Sequence, residues 1–89
     1  MGLEYRIETR DAIRLDVPGF LRGLPEFVTE EGGAFHLGSA PSNILFTVRH
    51  EGGCVYVCQH VASRETDAFL GLLIRRILSL NDHVVVSEL

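Results

Sequence analysis

The stretch that decides the fold is residues 43–89, which read NILFTVRHEGGCVYVCQHVASRETDAFLGLLIRRILSLNDHVVVSEL. Two runs rich in β-branched and aromatic residues, 44–49 and 54–59, flank Gly52-Gly53, a dipeptide typical of two-residue β-hairpin turns. The apolar spacing after Ser63 predicts a helix that ends near Asn81. Residues 83–87 then predict a last strand. The segment therefore predicts a hairpin, a helix and a strand in that order.

The turn at Gly52-Gly53 also sets the register of the hairpin, and this register separates an apolar face from a mixed one. The pairs on the apolar face are Val48 with Val57, Phe46 with Gln59 and Ile44 with Val61, and those on the mixed face are Arg49 with Tyr56, Thr47 with Cys58 and Leu45 with His60. The apolar face is expected to pack against the helix. The mixed face is expected to be solvated or to contact a partner.

The first half of the chain is less regular. Apolar and charged residues alternate over residues 3–10, which predicts a half-buried strand. Residues 17–31 predict one or two short helical segments, kinked at Pro25 and closed by Gly32-Gly33. Residues 34–37 predict a short edge strand. The tripeptide Glu-Gly-Gly occurs at 31–33 and again at 51–53, so a duplicated hairpin with residues 26–30 as its first strand is the alternative.

Together these elements predict one α+β domain over residues 1–89. An antiparallel sheet of four to five strands carries both helices on one face, and the order β-α-β-β-α-β is the ferredoxin-like one. A β-meander with one long C-terminal helix is the alternative. The unbroken apolar run Val84-Val85-Val86 predicts a strand that is buried on both faces of the sheet.

Composition excludes several classes of function. The net charge is −4, whereas a nucleic-acid-binding protein is expected to have a basic face. All eight basic residues are arginine, which codon bias in a GC-rich bacterial genome explains, and chemistry based on a lysine is excluded. No apolar run is long enough to span a membrane, and residues 1–6 do not resemble a signal segment. We therefore expect a soluble, cytoplasmic bacterial protein.

The chain has no motif for a metal, a cofactor or catalysis. Cys54 and Cys58 lie on one face of a strand, about 13 Å apart, so they are expected to be free thiols. Cys58 and His60 form a Cys-x-His pair, but the sequence indicates neither an orienting group nor an oxyanion hole. The four histidines match no zinc template. Enzymatic activity through Cys58 or His60 therefore has low weight, and no cofactor is expected.

Two surfaces are candidates for contact with a partner. One is the mixed sheet face with Leu45, Arg49, Tyr56, Cys58 and His60. The other is a strip of the helix with Gly71, Ile74 and Leu78, because the apolar arc of this helix is wider than packing against one sheet requires. These surfaces favour a non-enzymatic binding or regulatory protein that acts as a homodimer. An acidic antagonist or immunity-type protein that binds a basic partner is the alternative.

Overall fold

The computed structural model describes residues 3–10 and 12–89, so Met1 and Gly2 of the N-terminal segment and Asp11 lie outside it. Within these residues the chain forms six strands and two helices. In chain order they are β1 (Leu3–Thr9), α1 (Val17–Arg22), β2 (Phe27–Glu31), β3 (Ala34–Ala40), β4 (Asn43–Glu51), β5 (Cys54–Gln59), α2 (Arg64–Leu80) and β6 (Val84–Glu88). The domain is therefore α+β, as predicted.

The six strands form one sheet in the order β2-β3-β4-β5-β1-β6, and all neighbours are antiparallel. The predicted register of the central hairpin is confirmed, since Val48 pairs with Val57 and Thr47 with Cys58. The pair Ile44–Val61 is wrong, because β5 ends at Gln59 and Ile44 pairs with Gly38 of β3 instead. That change occurs at a bulge between β3 and β4.

The prediction for residues 17–40 is wrong in two ways. Helix α1 ends at Arg22, and residues 27–31 form strand β2 rather than a second helical segment. Strand β3 continues to Ala40 and lies between β2 and β4, so it is an interior strand and not a short edge strand. The hairpin around Gly32-Gly33, which was the alternative, is present, and both glycines have positive φ angles of 57° and 81°. The sheet consequently has more strands than the four to five predicted, and the element order differs from β-α-β-β-α-β.

Both helices contribute to one core on one face of the sheet. The buried cluster consists of Ile7, Ile13, Val17, Leu21, Phe35, Leu37, Phe46, Val48, Val55, Val57, Phe69, Leu73 and Ile77. Helix α1 lies toward β2 and β3, because the guanidinium of Arg22 stacks over Phe35 at 5.6 Å and binds Glu30 through two hydrogen bonds of 2.7 and 2.8 Å. This pairing lowers the pKa of Glu30. Helix α2 lies over β4 and β5, where the ring of Phe69 contacts Phe46 at 4.2 Å between centroids.

Helix α2 begins at a capping box and is fixed to the sheet at the same point. The Ser63 hydroxyl accepts a hydrogen bond from the Thr66 amide, and the Thr66 hydroxyl accepts one from the Ser63 amide. The buried Gln59 amide of β5 donates to Thr66 Oγ1 at 2.6 Å and to Asp67 Oδ1 at 3.1 Å. The predicted start at Ser63 and end at Asn81 are both confirmed.

Strand β6 lies at an edge of the sheet, which corrects the prediction of a strand buried on both faces. It pairs with β1 alone, and Val85 and Val86 are 45% and 41% exposed. Val84 packs against the core. An apolar run of valines indicates a strand but does not indicate whether a second neighbour covers it.

Candidate functional site

The face of the sheet opposite the helices is uncovered, and we call it the open face. Strand alternation places Glu4, Arg6, Glu8, His36, Thr47, Arg49, Cys54, Tyr56, Cys58, Val85 and Ser87 on it. These side chains are polar, aromatic or charged in the centre of the sheet. The face is therefore a platform of functional groups held by a rigid backbone.

Four side chains form a continuous contact chain across the open face. His36 Nδ1 lies 3.0 Å from the Thr47 hydroxyl, and the same hydroxyl lies 2.8 Å from His60 Nε2. The other ring nitrogen of His60, Nδ1, is 3.7 Å from Cys58 Sγ. A hydroxyl has one proton, so Thr47 donates to one imidazole and accepts from the other. The cross-strand pairing of Thr47 with both His36 and Cys58 positions this chain.

The geometry supplies two features that the sequence did not indicate, an imidazole near the Cys58 sulfur and a hydroxyl that orients this imidazole. Two other features oppose nucleophilic catalysis. Burial, and then the negative charge of Glu4 on the neighbouring strand, raise the pKa of Cys58, so its thiol stays protonated at neutral pH. Strand β5 lies between β4 and β1, and both strands form hydrogen bonds with its backbone. The backbone amides of β5 are therefore not available as an oxyanion hole. The arrangement favours a hydrogen-bonded thiol over a thiolate nucleophile.

A shallow concavity of about 80 Å³ lies beside these contacting side chains. It is lined by Glu4, Tyr5, Thr47, Arg49, Tyr56, Val57, Cys58 and Leu89. Arg6 borders the same area, and its guanidinium is engaged by Glu8 at 2.8 Å. The charge of Glu8 and then a hydrogen bond with Tyr56 raise the pKa of Arg6. Among the described residues, Arg49 is exposed and has no ion-pair partner. Its guanidinium is therefore available to an anionic group of a ligand or protein.

The structure brings four of the five predicted residues of the open face together. Arg49, Tyr56 and Cys58 line the concavity, and His60 follows β5 at its end. Leu45 is different, because it lies at the β4 bulge and its half-buried side chain packs against the core. A bulge adds a residue to one strand and re-aims its side chain, so simple alternation places Leu45 on the wrong side.

The helical strip lies on the other side of the sheet from the open face, so the two candidate surfaces are separate. Leu78 is 49% exposed, whereas Ile74 is half-buried and packs against the core. A Cβ atom on Gly71 would meet nothing within 4 Å, so no other part of the described chain approaches this glycine. Leu72, which is 51% exposed, was not predicted. Helical spacing alone could have found it, since Leu72 lies outside the inward row of Phe69, Leu73 and Ile77.

Sequence analysis did not predict the placement of two further features, His36 and the exposed valines of β6. His36 was assigned to a short edge strand, although its position beside the buried Leu37 and Phe35 indicates the open face by alternation. The exposed valines of β6 were predicted to be buried. The register of the central hairpin does indicate Thr47, because it pairs Thr47 with Cys58.

The described residues contain no group of three or more His, Cys, Asp or Glu side chains placed to hold a metal ion. None of the helices among them is long and apolar enough to cross a membrane. Comparison with known proteins gave no match to a family model, a curated protein sequence or a solved structure.

Proposed function

We propose that this chain is a non-enzymatic binding protein that acts as a homodimer. The observation that carries the proposal is the open face, an uncovered side of a six-stranded sheet. It holds the concavity, Tyr56 and Arg49, which has no ion-pair partner among the described residues. The two free thiols, Cys54 and Cys58, support a reducing compartment such as the bacterial cytoplasm.

The open face fits a protein partner that presents a carboxylate. Arg49 offers a planar guanidinium without a partner among the described residues, and arginine binds carboxylates through two parallel hydrogen bonds. Tyr56 beside it supplies an aromatic ring of the kind enriched in the centres of protein interfaces. The concavity of about 80 Å³ is too small for a drug-sized ligand but holds one short side chain.

The homodimer is tested by light scattering of the parent protein at about 100 μM, where we expect twice the mass of the 9.9 kDa chain. A monomer under these conditions would contradict self-association. The open face is tested by affinity capture from an extract of the cells that produce the protein, with the parent and two variants. We expect a partner retained by the parent and by Arg64→Ala, on the helical side, and lost with Arg49→Ala. Equal retention by both variants would exclude the open face.

A second candidate, an acidic antagonist of a basic protein, is favoured by one observation. Glu31 and Glu51 are exposed, and the pairing of Ala34 with Arg49 places them at the same end of the sheet, beside the two hairpin turns. Replacement of both residues by glutamine should abolish capture of a basic partner in this case. Unchanged capture would exclude the antagonist.

For the fold, we propose a ferredoxin-like unit enlarged by an inserted hairpin. Without the β2–β3 hairpin, the remaining elements follow the order β-α-β-β-α-β. The hairpin adds its two strands beside β4 and extends the sheet at that side. Such a unit hosts many functions, so the proposal about binding does not depend on it.

A further inference from the structure

The two edges of the sheet differ in how they are protected. The β2 edge carries Glu30 and Glu31 and has a bulge between Phe27 and Thr29, and charges and bulges are devices that prevent strands from pairing with other chains. The β6 edge has an unbroken register with β1 and three successive valines. Its one charged residue is Glu88, at the end of the strand. Strand β6 is therefore open to a further strand, whereas β2 is not.

We propose that β6 pairs in antiparallel orientation with β6 of a second copy, about a two-fold axis at Val86. This joins two six-stranded sheets into one sheet of twelve strands. The inference rests on the homodimer proposed above, and it names the surface that forms it.

Backbone geometry selects this register. The Leu89 amide donates to the Glu4 carbonyl at 2.8 Å, so Leu89 and Glu4 form a hydrogen-bonded pair of the β1–β6 ladder. In an antiparallel ladder such pairs alternate with pairs whose N–H and C=O groups point away from each other. The residues with outward N–H and C=O groups are consequently Val84, Val86 and Glu88, at the free edge.

An axis at Val86 uses all of these outward groups. Val86 lies opposite Val86 of the second copy, and Val84 lies opposite Glu88, which gives two hydrogen bonds at each of three pairs. An axis at Val85 or Ser87 leaves one outward residue of each copy without a partner in the opposite β6. The axis at Val85 also brings Glu88 opposite Asp82 of the second copy, two like charges, which is unfavourable across a strand pair.

The side chains fit the same register. The two copies of Val86 contact each other on the helical side of the joined sheet, and Val85 lies opposite Ser87 on the open face. Both valines lose exposed apolar surface, which favours association. Glu88 lies opposite Val84, so the two Glu88 carboxylates stay about 13 Å apart along the strands.

Helix α2 carries an exposed leucine, Leu78, that is not part of the core. Phe69 contacts Phe46 of β4, which lies on the side of β5 away from β1 and β6. At about 100° per residue, Leu78 stands about 180° around the helix from Phe69. The exposed Leu78 is therefore turned away from the core, so it does not bear on the register of the β6 edge.

Proline substitution tests whether β6 pairs with β6 of a second copy. Val86→Pro removes an outward N–H, and proline is tolerated on an edge strand where its nitrogen faces away from the sheet. We expect a folded monomer by light scattering at about 100 μM. Tyr56→Glu, on the open face, should leave the dimer intact. Val85→Pro is the matched control, since it removes an N–H that is directed to β1, and it should cause a large loss of melting temperature.

Cross-linking tests the register without relying on proline. In a Cys54→Ser/Cys58→Ser background, Val86→Cys should give a disulfide-linked dimer on mild oxidation, because the two copies of this residue are opposite each other. Val84→Cys should not, because its copies lie about 13 Å apart. If Val86→Pro is still a dimer and Val86→Cys does not form the cross-link, pairing through β6 is wrong, although the protein is still a homodimer. A monomeric parent would overturn both.

Discussion

The thiol of Cys58 lies between an imidazole and a carboxylate on the open face. His60 Nδ1 is 3.7 Å from its sulfur, and Glu4 is its cross-strand neighbour. Burial and the charge of Glu4 raise the pKa of Cys58, so most of the thiol is protonated at neutral pH. A thiol that is not ionised reacts slowly with alkylating agents.

We therefore predict that iodoacetamide at pH 7.5 modifies Cys58 more slowly in the folded protein than in the denatured protein. Glu4→Gln removes one of the two causes of the raised pKa and should accelerate the reaction, whereas Glu26→Gln should not. Mass spectrometry of the modified peptide gives the rate for this residue. Rapid modification of the folded parent would favour the catalytic alternative.

Substitution by alanine should change the free energy of unfolding in opposite directions at two glycines. Gly38 lies at the bulge between β3 and β4, and a Cβ atom there would overlap the backbone carbonyl of Asn43. Gly38→Ala should lower the free energy of unfolding by about 1–3 kcal/mol. Gly71 has open space around its Cα, so Gly71→Ala should raise it by up to about 1 kcal/mol through helix propensity. Urea unfolding measures both, and equal effects would contradict the placement of these glycines.

At the scale of elements, helix α2 depends on its first turn. Ser63 closes the capping box, and Thr66 in the same turn is buried against Gln59. We predict that Ser63→Ala lowers the free energy of unfolding by about 1 kcal/mol. Ser79→Ala, at the exposed end of the same helix, should change it by less than about 0.5 kcal/mol. Thermal unfolding followed by circular dichroism compares the two, and a larger effect at Ser79 would show that the cap is dispensable.

The elements that sequence analysis predicted correctly are those with one unambiguous period. The alternation over residues 3–9, the Gly52-Gly53 turn and the capped helix after Ser63 each allow a single reading. Strand β2 was predicted only as the alternative, because Pro25 and the spacing of Phe20 and Leu24 favour a broken helix that continues to residue 31. Strand β3 was predicted too short because Gly38-Ser39-Ala40 has little strand propensity. Pairing with β4 and a hydrogen bond from the Gly38 amide to the Glu26 carbonyl hold it in the sheet.

The candidate site was predictable only where one unambiguous sequence pattern determines it. The register of one hairpin places Arg49, Tyr56 and Cys58 on one face, and this follows from the turn alone. The contact of His36 with Thr47 depends on β3, whose full length the sequence did not indicate. The exposure of Val85 and Val86 depends on the order of strands across the whole sheet, which is a property of tertiary structure and has no local signal.

At the scale of the whole molecule, self-association links stability to concentration. Pairing at β6 stabilises the folded state by mass action, so the melting temperature of the parent should rise with protein concentration. For a domain of 89 residues we expect about 3–5 °C for each tenfold increase. Differential scanning calorimetry between about 10 and 1,000 μM measures the change.

The same measurement on Val86→Pro separates the edge from the rest of the molecule. This variant keeps the core and the β1–β6 ladder, because the nitrogen that it changes points away from β1. Its melting temperature should therefore be independent of concentration and equal the value that the parent approaches on dilution. A parent with a constant melting temperature over this range would contradict dimerisation. If the melting temperature of Val86→Pro still rises with protein concentration as that of the parent does, the dimer forms through the open face or through α2 at Leu78.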